Sequence, residues 1–442
     1  MKRWLVVLLV LLAVVVLVSP GIVGRLAEKN LEENMEWAES ESSGIELQME
    51  SFDRGWFTSE GRHRVVLSGA SFREAAQTYR AQSGHADLPS LVIDTRLDHG
   101  LVPISSLQRD SGSLMPGLAS TISTFQFDPG NGELVPLPGS LYSSVSLTGA
   151  SDSRFLLEAG NFEDEDVRVE WQGADVAVQS DAATGAIVLD GRIEPFTISD
   201  KSDTVRVGAM TVSADQVKSE YGLNVGTAEF ELASMQLESP NSPVTVGNIS
   251  FSADSNIDDA RLNFDMKMAI DEIVVPGMGH MDFLMDLALN RLDAASTEVV
   301  AKAFQEAQGS PDPEAALAEL FPRIEGDLQK IVASGAEIRL DQLDVTLPQG
   351  KVSTKLTVEV PEGDAGANFS WASVLLAMTA TADIRMPAEL FESIQMMNPQ
   401  AGSLVAMGLL ISDGDDLVMN AEYAQGLLNV NGAPMPIPMP GM

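Results

Sequence analysis

The sequence predicts a mainly β protein with minor α content. It would be an elongated antiparallel meander, with helices after about residue 289 and one N-terminal transmembrane helix. Three observations predict this. Apolar and polar residues alternate over most of 45–289. Turn signals recur roughly every ten residues with no helical crossover between them. Residues 4–24 carry no charge. The segments expected are 1–24 (cytoplasmic tip and anchor), 25–290 (β-rich), 291–335 (helical) and 336–442 (β with a helix).

The chain opens with Met1-Lys2-Arg3, and Trp4 to Gly24 follow without a charge. At ~1.5 Å per residue this run spans ~31 Å, matching a hydrocarbon core of ~30 Å. No polar face interrupts it, as a soluble amphipathic helix would require. Ser19 and Gly21, with Pro20 between them, make a poor cleavage site, and the apolar run is long for a leader. A retained anchor is therefore preferred over a cleaved signal peptide. Lys2 and Arg3 would stay cytoplasmic and the rest of the chain would lie outside. Residues 25–35 read as a helical stem.

From Ile45 to Leu289 the period is two. Leu91, Ile93, Thr95 and Leu97 share one face of a strand; so do Val167, Val169 and Trp171, and Leu262, Phe264, Met266, Met268 and Ile270. Met281, Phe283, Met285, Leu287 and Leu289 repeat the pattern. Strands with one apolar and one wet face are the mark of antiparallel sheets. Turns are expected at Pro129 to Gly132, at Asp190-Gly191 and at Ser239 to Pro243. Val207-Gly208, Val225-Gly226 and Val246-Gly247 each precede an alternating segment, which reads as a hairpin-sized repeat. The competing reading is that Val-Gly is common at strand ends.

After Leu289 the period changes. Residues 294–307 read as a helix with Val299, Val300, Ala303 and Phe304 on one side. Asp312 and Pro313 suit the start of a second helix, Pro322 should kink or split it, and Ser334-Gly335 should end it. Alternation returns from Ile338 to Leu347, turns at Pro348 to Lys351, and pairs back from Val352 to Val360. Val374 to Ala382 reads as strand-like. Pro387 to Leu410 reads as a helix broken near Asn398-Pro399, with last strands at Leu417 to Ala421 and Leu427 to Val430.

Composition narrows the chemistry. Twenty-seven basic against 64 acidic residues give a net charge of −37, which argues against nucleic acid because phosphates would be repelled. Zero cysteine removes disulfides, thiolate metal sites and cysteine nucleophiles. His63, His85, His99 and His280 lack zinc-site spacing, and no nucleophile elbow, P-loop or dinucleotide fingerprint occurs. The acidic runs Glu163 to Asp166 and Asp413 to Asp416 lack the spacing of an EF-hand and read as solvated turns. No catalytic residue, metal or cofactor is assigned, and a non-enzymatic role is expected.

Three segments carry a resemblance. Ser51-Phe52-Asp53-Arg54-Gly55-Trp56-Phe57-Thr58-Ser59 follows the anchor. Gly335 to Gly350 follows the second helix, and Tyr423 to Gly432 lies near the end. Together they resemble the YdgA-like family of bacterial envelope proteins, of unknown molecular function, over nearly the whole chain. Arg54, Gly55, Trp56 and Phe57, with Asn431 and Gly432, are the most specific pieces. Asp98-His99-Gly100-Leu101-Val102-Pro103 is similar to the family's His-Gly-Pro segment, with Leu101 where proline is usual. The resemblance implies an inner-membrane anchor and a periplasmic body. By analogy of fold it also implies distant kinship with AsmA-like proteins, whose β-rich troughs are thought to carry lipid.

The aromatic motif has two readings. An aromatic pair beside Arg54 could hold a ligand or meet the membrane. Alternatively Gly55 permits a bend and Trp56 plugs the first hairpin, and this structural reading is preferred. The role expected for the whole chain is binding or guiding a hydrophobic ligand, a lipid, on an apolar sheet face. The alternative is a structural or interaction scaffold for envelope assembly with a closed core. The 20 methionines, among them Met278, Met281, Met285, Met396 and Met397, suit either an adaptable apolar surface or an ordinary core.

Overall fold

The computed structural model describes residues 45–54, 58–67, 87–99, 117–146, 148–164, 167–200, 202–240, 242–308, 313–363, 365 and 369–435. The expected anchor at 4–24 and stem at 25–35 lie outside them. Among the described residues no helix is long and apolar enough to cross a membrane. The chain divides into two compact units. The first runs up to Val217 and includes Leu237–Pro240; the second comprises Lys218–Gln236 and the chain from Asn241 onward.

The first unit contains β1 (Ile45–Arg54), β2 (Thr58–Leu67), β3 (Ser90–His99), β4 (Gly117–Asp128), β5 (Val135–Ser146), β6 (Ala150–Leu157), β7 (Gly160–Asp164), β8 (Val167–Trp171), β9 (Ala174–Asp181), β10 (Ala186–Ile193), β11 (Phe196–Ser199), β12 (Thr204–Val207) and β13 (Met210–Lys218). Its main sheet runs β1-β2-β3-β4-β5-β6-β9-β10-β13, antiparallel at every step. A second ribbon, β7-β8-β11-β12, is also antiparallel. The alternation reads correctly here: Val65, Leu91, Phe125, Leu141, Phe155, Val176 and Val178 share one face and form a buried core. Phe125 and Phe155 meet edge to face at 5.6 Å. Phe127 packs with Val167, Val169 and Ile198, which brings the ribbon's apolar side against the sheet.

The second unit contains β14 (Asn224–Leu232), β16 (Val244–Val246), β17 (Ile249–Asp258), β18 (Arg261–Val275), β19 (Gly279–Asp293), β20 (Glu337–Leu347), β21 (Gly350–Glu359), β22 (Thr379–Pro387), β23 (Ile411–Asp413), β24 (Asp416–Ala424), β25 (Leu427–Val430) and β26 (Ala433–Met435); β15 (Met235–Glu238) is divided between the units. The sheet runs β14-β17-β18-β19-β20-β21-β22-β24-β25-β26, again wholly antiparallel. The described helices, α1 (Ala294–Gln308), α2 (Pro313–Ala333), α3 (Trp371–Ala377), α4 (Ala388–Met397) and α5 (Gly402–Ala406), all follow residue 289. Asp293 accepts a hydrogen bond from the Ser296 N–H at 2.8 Å, which caps α1. Gly335, at φ +88°, ends α2 as expected.

The repeat is real but is not the one Val-Gly suggests. Three times a sheet strand ends, two residues follow, a pair of short strands covers 12 residues, two more residues follow, and the chain returns to pair with the strand it left. The excursions span 160–171, 196–207 and 235–246, and the returns are β9 on β6, β13 on β10 and β17 on β14. Gly208 and Gly247 take the first of the two positions before their returns, and Gly173 takes the second. Gly226 lies inside β14 and is not part of the series.

Four other expectations are corrected. Asp190-Gly191 is no turn but the middle of β10, because a Cβ on Gly191 would stand 2.8 Å from Val212 and 3.3 Å from Val176 on the flanking strands. Val374 to Ala382 divides: its first part is the end of α3, and from Thr379 it is the start of β22. α2 runs unbroken through Pro322. On α1, Ala303 is buried against Leu320 and Ile324, whereas Val299 and Phe304 face solvent.

Candidate functional site

The second unit's sheet carries a row of opposed side chains eight strands wide: Phe230, Phe251, Met268, Met285, Leu343, Thr354, Ile384 and Met419. Residues directly opposite across a sheet share a face. A parallel row two residues along holds Leu232, Ile249, Ile270, Phe283, Val345 and Val352. A third holds Met266, Leu287, Leu340 and Leu356. The opposite face carries a polar row: Glu229, Ser252, Lys267 and Asp286 stand in register, with a Lys267–Asp286 ion pair at 3.0 Å.

This apolar face differs from that of the first unit. There Leu91, Phe125, Phe155 and Val176 are sealed. Here, from β14 to β21, Leu232 is buried, the other residues of the three rows are only half-buried, and Phe230 is 37% exposed. The four buried core clusters of the described residues take none of their members from β14 to β21. Flexible thioethers at Met266, Met268 and Met285 floor the face.

At the last strands the face meets a helical hairpin. Phe391 of α4 packs with Leu410 and Leu417, and Met386 and Met419 border that cluster. The hairpin's outer side leaves Met396 79% and Met397 81% exposed. Asn431 fixes its base. The Asn431 Nδ2 donates to the carbonyls of Gly408 (2.9 Å) and Leu409 (3.1 Å), and its Oδ1 accepts from the Asn420 N–H at 2.8 Å. Asn431 and Gly432 have φ +51° and +81°, the two-residue hairpin turn that Asn-Gly favours, here between β25 and β26.

The other sequence motifs are placed as follows. Arg54 ends β1 opposite Ser59 of β2. Gly55, Trp56 and Phe57 lie outside the described residues, as do 100–103 of the His-Gly segment. The acidic turn Asp413 to Asp416 is held by Arg385, whose guanidinium meets Asp413 at 2.6 Å and Asp416 at 2.7 Å. Among the described residues no cluster of His, Asp and Glu has metal-binding geometry. His63 stands between Met49 and Ile93 in the first unit, and burial pushes its imidazole pKa down. Sequence reasoning found the alternation but missed its exposure, because alternation tells which residues share a face and not what covers them.

Comparison with known proteins adds a family. A family model described as bacterial protein of unknown function (DUF945) matches residues 1–438. Protein YdgA of Escherichia coli (strain K12) is 23% identical over 254 residues, which cover 51% of this chain and 48% of the relative, about half the length of each. No solved structure matches.

Proposed function

The chain belongs to the DUF945 family, the YdgA-like bacterial proteins of unknown function, and from that premise we propose that it binds or guides a lipid along the apolar face of its second sheet. One observation carries the reading: three rows rich in Phe, Met, Leu, Ile and Val are, Leu232 aside, incompletely covered, whereas the first unit fully buries Leu91, Phe125, Phe155 and Val176. Covering apolar surface is worth roughly 25 cal/mol per Å², so an acyl chain laid on this face gains what the protein leaves unclaimed. Ligand contact falls to Phe230, Phe251, Met268 and Met285. The role is non-enzymatic. Residues 4–24 anchor the chain in the inner membrane, with the body in the periplasm, which supplies the lipid. The closed core of the first unit favours a second reading for that part, a scaffold in envelope assembly.

The test places a photoreactive amino acid at Met268 of the full chain, with Lys267 on the opposite face as control. After irradiation in cells, mass spectrometry should find lipid attached at 268 and not at 267. Unmodified protein at both positions overturns the reading.

A further inference from the structure

We propose that the helical hairpin 388–410 is a membrane-contacting tip that inserts its methionines into the surface of a lipid bilayer. From Ser393 to Ser412 the chain runs 20 residues without a charged side chain, in a protein of net charge −37. A solvated hairpin in such a chain would carry its share of carboxylates. Glu389 and Glu392 stand at the start of α4, and the uncharged remainder of the hairpin is the surface that can approach anionic headgroups without repulsion.

Exposure is the second observation. Met396 and Met397 close α4 at 79% and 81% exposed, Met407 follows α5 at 55%, and Leu404 and Val405 are exposed beside it. The inner side of the hairpin is already satisfied by Phe391, Leu410 and Leu417, and the outer apolar residues lie outside that cluster. Several large apolar side chains exposed within one short hairpin mark an interaction site.

The composition of the patch selects the occupant. Protein interfaces centre on Trp, Tyr and Arg hot spots within polar rims, with methionine enriched alongside those anchors. Residues 393–412 contain no aromatic residue and no arginine. Unbranched thioethers with Leu and Val suit a fluid hydrocarbon, which offers no fixed pockets. With no Lys or Arg on the tip, attraction rests on apolar burial alone, and contact should be insensitive to salt. The tip also continues the proposed lipid face: Met386 and Met419 border its buried cluster and belong to the last two strands of that face. In this last step the inference leans on the proposed function, whereas charge and exposure stand without it.

The chain has no cysteine, so Met397→Cys supplies a single thiol for an environment-sensitive fluorophore, with Lys355→Cys on an exposed polar position as control. The full chain is reconstituted in vesicles of phosphatidylethanolamine and phosphatidylglycerol. Protein-free vesicles of the same composition are added, and all carry an acyl-chain nitroxide quencher. Quenching at 397 that persists in high salt, with none at 355, is the expected result. Adding Met396→Glu and Met407→Glu should weaken the quenched population about tenfold per methionine. No quenching at 397, or equal quenching at both positions, overturns the proposal. So does protection of 397 from aqueous iodide that grows with protein concentration without lipid quenching, which identifies a second copy as the occupant. Quenching at 397 with no lipid adduct at 268 keeps the tip and removes the sheet-face reading; the reverse keeps the sheet face and removes the tip.

Discussion

Asn431 reaches across 23 residues of sequence to hydrogen-bond the Gly408 carbonyl at 2.9 Å. It thereby ties the final β-hairpin to the base of the exposed helical one. An asparagine is needed for three reasons at once: its amide donates to Gly408 and Leu409, its oxygen accepts from Asn420, and it tolerates φ +51°. Asn431→Asp keeps the acceptor and the backbone preference but loses both donors and sets a carboxylate beside two carbonyls. Stability should fall by about 1–3 kcal/mol, and amide exchange at 407–411 should accelerate. Equal melting temperatures and equal exchange would show the tie to be idle.

The β17–β18 turn makes the opposite prediction. Asp259 and Ala260 sit at φ +49° and +62°. Both central positions of this turn need the left-handed region, which aspartate tolerates and alanine does not. Ala260→Gly should therefore stabilise the protein by about 1 kcal/mol, read as a higher urea midpoint at unchanged slope. A lower midpoint would mean that the glycine's added chain entropy outweighs the relieved strain.

How much of this was legible beforehand follows from what each signal reports. Period two reports faces, so Phe283, Met285 and Leu287 were placed on one face from sequence alone. It does not report cover, so the contrast between sealed Leu91 and half-exposed Met268 was invisible. Gly191 was read as a turn because glycine signals both turns and close strand approach, and the crowding by Val176 and Val212 comes from the two strands that flank it in the sheet. The true repeat was hidden because its units share lengths and joins, not residues. Pro387 to Leu410 read as a broken helix, and only its neighbours show which side is covered.

Gly160 illustrates close approach within a single hairpin. The Trp171 indole lies over it, so that an added Cβ would meet the ring at 2.4 Å, and the indole N–H donates to the Glu158 carbonyl at 2.8 Å. Gly160→Val displaces the ring and breaks that bond. A loss of roughly 1–3 kcal/mol is expected from overpacking, together with a red shift of the Trp171 component of fluorescence as the indole becomes wetter. Unchanged emission would show that the ring has another resting place.

Asp128 gives the fold a pH dependence with a definite sign. Burial alone would raise its pKa. It is outweighed by the Arg64 guanidinium at 2.8 Å and by the N–H groups of Gly130 (2.8 Å) and Gly132 (3.1 Å), so the carboxyl is held below its ordinary range. A depressed folded-state pKa means that the unfolded chain takes up the proton first as pH falls. The stabilisation is therefore complete above the ordinary aspartate pKa of ~3.9 and is lost as pH drops from there through the folded value. Asp128→Asn retains an oxygen for the two glycine N–H groups and removes the charge opposite Arg64. Wild type should exceed the variant by about 1–3 kcal/mol near neutral pH, and the gap should close progressively below about pH 4. A gap that stays constant across that range would assign the effect to shape and not to charge, and would place the acid sensitivity elsewhere in the fold.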